Sequence, residues 1–143
     1  VLVGPFEPGG GGIEEADLAR FKDEGSIDYV GRTEDVRPYL AACSAYVLPS
    51  YYREGTPRSI LEAMSTGRAV VTTDAPGCRE TVDEGVNGFL VPPRDADALE
   101  AAMRRLLDMD LARRMGAESR RIADERYDVH KVNRMMLERM GLA

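Results

Sequence analysis

The chain has 143 residues, is 43% hydrophobic, and carries 25 acidic against 19 basic residues for a net charge of −6. That length holds one ordinary domain with a core of its own. No Lys/Arg run exceeds two residues, which argues against a nucleic-acid partner, and no apolar stretch approaches the roughly 20 residues that span a bilayer.

The chain opens on Val1, Leu2 and Val3 followed by Gly4-Pro5, with no initiator Met, no signal peptide and no element before that strand. It reads as a soluble piece of a longer protein. The glycine run at 9–12 lacks the Lys-Ser/Thr that would make a phosphate-binding loop and reads as a connector. A helix with Leu18 and Phe21 inward is expected over 13–23, then a strand over 27–30. Asp35 caps a helix over 36–42. A third strand over 45–48 leads into a helix over 57–64, for which Thr56 supplies the hydroxyl cap and Pro57 the first-turn residue. Gly67 ends that helix.

A strand over 69–73, a short turn near 79–83 and a strand over 89–91 follow. From Asp95 the pattern is helical, with helices opening at Asp97 and at Asp110 and a last one capped by Asp128. The alternation predicts an α/β fold, a Rossmann-like parallel sheet of about five strands flanked by helices, with a helical C-terminal tail. Along the last helix Val129, Val132, Met135, Met136 and Met140 form a stripe of the kind that is usually core. Cys43, Cys78 and the single His130 lack metal-ligand spacing. Both thiols read as buried and reduced.

In doubly wound sheets ligands bind beyond the carboxyl ends of the strands. The third strand runs into Tyr51-Tyr52-Arg53-Glu54-Gly55-Thr56-Pro57-Arg58, a chemically rich connector. Gly55 lets backbone approach a ligand, and the helix start at Thr56-Pro57 favours an anion such as a diphosphate. Glu62 lies about 160° around the helix from Ile60 and faces away from the sheet. Glu54 and Glu62 could accept hydrogen bonds from two sets of hydroxyls, as a sugar and a ribose joined by a diphosphate present them. A loop charge and a solvated helix glutamate are the alternative.

The run Glu54-Gly55-Thr56-Pro57-Arg58-Ser59-Ile60-Leu61-Glu62-Ala63-Met64 resembles the E-x7-E signature of glycosyltransferase family 4. Asp28-Tyr29-Val30-Gly31-Arg32, Val47-Leu48-Pro49-Ser50, Gly67-Arg68-Ala69-Val70-Val71-Thr72-Thr73 and Gly85-Val86-Asn87-Gly88-Phe89-Leu90-Val91-Pro92 extend the likeness over nearly the whole chain. The resemblance implies a retaining enzyme of the two-domain GT-B fold, with residues 1–143 as its C-terminal nucleotide-sugar-binding domain. The N-terminal acceptor domain and the first part of this domain are then expected to be absent, taking with them the Arg and Lys that contact the diphosphate.

By that resemblance Glu54 is the catalytic carboxylate on the donor-sugar hydroxyls. The amides of Gly55 and Thr56, with Pro57 and Arg58 beside them, meet the sugar or diphosphate. Glu62 takes the ribose, and backbone at Gly31 and Arg32 borders the base. The donor is expected to be a UDP-sugar, by analogy with enzymes of bacterial capsule, exopolysaccharide and lipid-linked oligosaccharide synthesis. No metal or other cofactor is implied. The acceptor is expected to be lipid-linked or a polysaccharide. The parent enzyme is expected in the cytoplasm, peripheral at the inner membrane face, and residues 1–143 alone should be inactive. The last helix is expected to pack on the other domain and, without it, to self-associate or lose order.

Three rival functions share parts of this pattern. A signalling receiver would need acidic residues where this chain has Gly4-Pro5 and Pro49-Ser50. A sugar-nucleotide epimerase shares the fold but is disfavoured by the E-x7-E loop. A non-catalytic nucleotide-binding module remains the third.

Overall fold

The computed structural model describes residues 1–6, 13–53 and 55–142. The glycine run at 9–12 and the carboxylate Glu54 therefore lie outside the described residues. The chain divides into two compact units, Val1–Ala41 and Ala42–Ala143.

In the first unit, strands β1 (Leu2–Val3) and β2 (Tyr29–Gly31) flank helix α1 (Glu15–Asp23), and α2 (Arg37–Ala42) follows. The strands pair in parallel, Leu2 with Tyr29 and Val3 with Gly31, with a register irregularity between. Leu18 is buried as expected, whereas Phe21 is only half-buried. The strand expected from residue 27 begins two residues later. Ser26 and Ile27 donate their N–H groups to the Phe21 carbonyl at 2.9 and 3.3 Å, closing the end of α1, so neither is free to join a ladder.

The second unit holds β3 (Ala45–Leu48), α3 (Arg58–Ser65), β4 (Ala69–Thr73), a 3-10 turn (Arg79–Thr81), β5 (Gly88–Val91), α4 (Ala96–Arg105), α5 (Met109–Arg126) and α6 (Val129–Arg139). Its sheet has the order β3-β4-β5 and is parallel throughout, Ala45 facing Ala69 and Val70 facing Gly88. The five expected strands are thus present, divided between a two-stranded and a three-stranded sheet.

All five residues of β4 are buried, as a central parallel strand covered on both faces requires. On one face Ala69 and Val71 pack with Phe89, Val91, Ala102, Leu106, Ala112 and Met115. On the other, Val70 packs with Ile60, Met64, Cys78, Val82, Ile122 and Ala123. The long helix α5 serves both clusters. It comes so close to the start of β4 that a Cβ on Gly116 would lie 2.2 Å from the Gly67 carbonyl oxygen.

The ends of α3 decide where its functional groups sit. At its C-terminus Gly67 adopts φ 72°, its N–H donates to Met64 O at 2.9 Å, and Arg68 N–H reaches Ala63 O at 3.0 Å. That pair of bonds is a Schellman closure, which needs the left-handed backbone glycine supplies. The N-terminus corrects the sequence reading. Pro57 itself is the cap, with ψ 124°, and no side chain caps the helix, so Thr56 stands one residue too early to serve.

The last three helices are capped by aspartates. Asp95 accepts the Ala98 N–H, Asp108 accepts those of Asp110 and Leu111, and Asp128 accepts those of His130 and Lys131. The helix expected to open at Asp110 therefore opens at Met109, because the cap is Asp108. The stripe on α6 overturns its reading as core. α6 buries no residue, and Val129 and Met140 stand 59% and 65% exposed.

Candidate functional site

In the second unit the carboxyl ends of β3, β4 and β5 release three connectors at one edge of the sheet: 49–57, 74–78 and 92–95. This is where a parallel sheet leaves backbone groups unsatisfied and ligands bind. The last two residues of β4 are threonines, buried and polar. The Thr72 hydroxyl donates to Leu48 O at 2.7 Å, and the Thr73 hydroxyl donates to Ser50 O. Both bonds fix the exit of β3 from below, so the loop leaves the sheet from a rigid base.

Beyond Ser50 the loop carries an aromatic pair. The Tyr51 and Tyr52 ring centroids are 4.5 Å apart and tilted by 30°, with hydroxyls 3.2 Å apart. That shared hydrogen bond pushes the exposed Tyr52 hydroxyl above the ordinary tyrosine range. The guanidinium of Arg94, from the connector after β5, lies 4.5 Å from the Tyr51 ring centroid. Gly55 and Thr56 follow, both exposed, then buried Pro57 and exposed Arg58.

Helix α3 presents its apolar arc, Ile60, Ala63 and Met64, inward at 0% exposure, and Glu62 outward. The sequence periodicity anticipated this orientation. Beneath α3 the Tyr46 side chain of β3 hydrogen-bonds Ser59, and burial pushes its hydroxyl up. The Ser59 bond works against that rise and the Glu62 carboxylate adds to it. Tyr46 thus joins the sheet to the first turn of α3. With Pro57 offering no side-chain acceptor, the first turn of α3 is open to an anion.

The connector after β4 is folded on itself. Arg79 pairs with Asp74 at 3.0 Å and donates to the Asp74 carbonyl at 2.8 Å, and the Gly77 N–H reaches the Glu80 carboxylate at 2.8 Å. Its charges are largely consumed internally.

Gly31 and Arg32 belong to the first unit. Gly31 ends β2 with φ 78°, and its carbonyl accepts the Gly4 N–H at 2.9 Å. The next turn is braced by Thr33 and by Asp35, whose carboxylate accepts the Arg37 N–H and both arms of the Arg37 side chain. The paired guanidinium holds the Asp35 carboxyl below the ordinary range. Arg32 is exposed.

Of the expected residues, Gly55, Thr56, Pro57, Arg58 and Glu62 lie along one loop and its helix, and Gly31 and Arg32 lie at the end of β2. The catalytic candidate Glu54 falls outside the described residues. Thr72, Thr73, Tyr46 and Arg94 went unrecognised in the sequence. The two threonines carried a signal, polar residues closing an otherwise apolar strand; the ring contact of Arg94 carried none. Among the described residues no three His, Cys, Asp or Glu side chains converge as a metal site, and no helix is long and apolar enough to cross a membrane.

Comparison with known proteins places this geometry in context. The sequence model of the family described as "Glycosyl transferases group 1" matches residues 1–109. A Campylobacter jejuni protein named N,N'-diacetylbacillosaminyl-diphospho-undecaprenol alpha-1,3-N-acetylgalactosaminyltransferase is 35% identical over 88 residues, 62% of this chain and 23% of its own length. A Haemophilus influenzae glycosyltransferase is 30% identical over 128 residues, 86% of this chain and 36% of its own. The crystal structure of Anabaena HepE in complex with UDP-glucose superposes with a TM-score of 0.83 at 26% identity, over 99% of this chain and 40% of that one. The chain spans well under half the length of each of these proteins.

Proposed function

The chain belongs to the group 1 glycosyl transferases, and from that premise we propose that it forms the nucleotide-sugar-binding part of a retaining glycosyltransferase. The observation that carries this reading is the edge of the β3-β4-β5 sheet, where a braced loop leads into an uncapped helix that carries an exposed glutamate. The likeness to a structure holding UDP-glucose supports it. UDP-sugars are the proposed donors. A lipid-linked or polysaccharide acceptor is supported by the name of the Campylobacter relative and by that of an Erwinia amylovora amylovoran biosynthesis glycosyltransferase, 36% identical over 78 residues.

On this reading the first turn of α3 stabilises the diphosphate as it leaves, while the anomeric carbon gains oxocarbenium character. Glu62 accepts hydrogen bonds from the ribose and Glu54 from the sugar hydroxyls. No metal takes part, so activity should persist in EDTA. The acceptor site belongs to a further domain, and the whole enzyme works in the cytoplasm at the membrane face.

Calorimetry on the full-length protein with UDP, GDP and ADP tests the donor class. Glu62→Gln should weaken UDP binding by ~1.5 to 3 kcal/mol, the cost of losing a charge-assisted acceptor. Unchanged affinity would overturn the ribose role.

A further inference from the structure

Arg94 stands between Pro93 and the α4 cap Asp95, with φ 63°, the one non-glycine residue with positive φ among those described. A side chain there presses on its own backbone, whereas glycine would adopt the same turn freely. An arginine held in that conformation needs a compensating use. Its guanidinium caps the Tyr51 ring at 4.5 Å, and Tyr51 in turn stacks on Tyr52. Tyr51 directly follows Ser50, whose carbonyl Thr73 fixes, and the loop continues to Gly55 and Thr56. The cation therefore grips the loop at the first residue beyond its anchored base, four residues before Gly55, the first of the residues assigned to the donor.

We propose that Arg94 is a positioning residue, acting through the Tyr51 ring to hold the loop between β3 and α3 where Gly55 and Thr56 meet the donor sugar. The proposal rests on the nucleotide-sugar reading of that loop. The left-handed turn aims the guanidinium at Tyr51; a glycine in its place would relax the backbone and leave the ring uncovered. Arg94 would then influence the sugar end of the donor and leave the nucleotide end alone.

The test uses the full-length protein with Arg94→Gly, Arg94→Lys, Tyr51→Leu and the Arg94→Gly/Tyr51→Leu double variant. Turnover is followed as UDP release from UDP-glucose, and UDP affinity by calorimetry. Arg94→Gly should lower kcat about ten-fold, between the value of an exposed cation–π contact and the roughly hundred-fold cost of an ångström-scale misplacement. UDP affinity should stay within about two-fold, and Tm should hold or rise by about 2 to 4 °C as the strained turn relaxes. Arg94→Lys, which keeps the cation, should recover part of the loss. The double variant should be no slower than the slower single one, because both remove the same contact. A kcat for Arg94→Gly within about two-fold of the parent, or single losses that multiply in the double variant, would overturn the proposal. Tryptic cleavage after Arg53 reads the tether without any donor and should be several-fold faster in Arg94→Gly; an unchanged rate overturns the tether itself. A parent protein that binds no UDP and releases none sinks the donor reading, and the cleavage assay still decides whether Arg94 holds the loop.

Discussion

Helices α5 and α6 follow one another, each opens on an aspartate that accepts two backbone N–H groups, and each carries an apolar stripe; yet α5 buries six residues and α6 none. The difference lies in the size of the residues in the stripe and in what stands opposite. On α5 the inward side carries Ala112, Gly116, Ser119 and Ala123 beside Met115 and Ile122, small enough to let the helix touch the backbone around Gly67. On α6 the stripe is Val and Met, and its tie to α5 is polar, Lys131 Nζ donating to the Asp124 carbonyl at 2.7 Å. An amphipathic pattern reports that a helix has an apolar side. It does not report that a surface of matching shape exists to receive it.

The sharpest way to break this contrast is Gly116→Ala. Alanine is the better helix former by about 1 kcal/mol, but the new methyl would meet the Gly67 carbonyl, an overpacking cost of about 3 kcal/mol. The expected net loss is about 2 kcal/mol, and chemical denaturation measures it. A neutral result would mean that α5 can slide on the sheet and that close approach is not what holds it.

Next in size is Asn87→Ala. The buried Asn87 side chain accepts the Asp83 N–H at 2.8 Å and donates to Thr81 O at 3.1 Å and to Ser119 Oγ at 3.4 Å, while the Asn87 main-chain carbonyl accepts the Ser119 hydroxyl at 3.2 Å. Removing the amide strips partners from α5 and from the turn before β5 together. A loss of about 1 to 3 kcal/mol is expected for the groups left unsatisfied. A thermal melt within a degree of the parent would show that water takes over those bonds.

A smaller effect is expected at the far end of α5, where Arg126 forks onto Asp83 at 2.9 and 2.7 Å. That hydrogen-bonded guanidinium is the main reason the Asp83 carboxyl is held below the ordinary range. Because the folded pKa is depressed, the stabilisation is present above the unfolded value near ~3.9 and is lost as pH falls through the folded one. Both side chains are more than a third exposed, so solvent screening keeps the contribution under about 1 kcal/mol. Asp83→Asn should therefore lower stability slightly at pH 7 and by less at acid pH, as the folded carboxyl protonates. Equal losses at both pH values would assign the effect to packing.

Least of all should α6 respond. Met136→Ala is expected to change stability by no more than ~0.5 kcal/mol, as for an exposed position. A chain ending at Tyr127 should melt within a few degrees of the parent, since Tyr127 still donates to Glu80 O at 2.7 Å. Sedimentation over a concentration series should show association that depends on residues after Asp128. A loss above about 2 kcal/mol for Met136→Ala would erase the distinction between the two helices.

Much of the fold was legible before any coordinates. The strands Ala45–Leu48 and Ala69–Thr73 match their expected bounds residue for residue, because short apolar or β-branched runs set off by turn residues leave the backbone little choice. Asp128 and Gly67 were read as helix ends for local reasons, and local hydrogen bonds are what they make. At the candidate site the outward direction of Glu62 followed from helix geometry alone.

Where the reading slipped, the deciding partner was distant or the choice lay between neighbours. Pro57 displaced Thr56 as cap by one residue, and Phe21 O took the N–H groups that would have begun the second strand early. The sequence by itself determined the order of the elements, the Asp128 cap, the left-handed close of α3 and the side of α3 that carries Glu62, all of which depend on bonds within a few residues. Tertiary structure alone decided that Thr72 and Thr73 brace the exit of β3, that Arg94 reaches Tyr51, and that α5 is buried while α6 is not. Those outcomes depend on which surfaces meet, and a periodic pattern records the composition of a face without recording the shape of its neighbour.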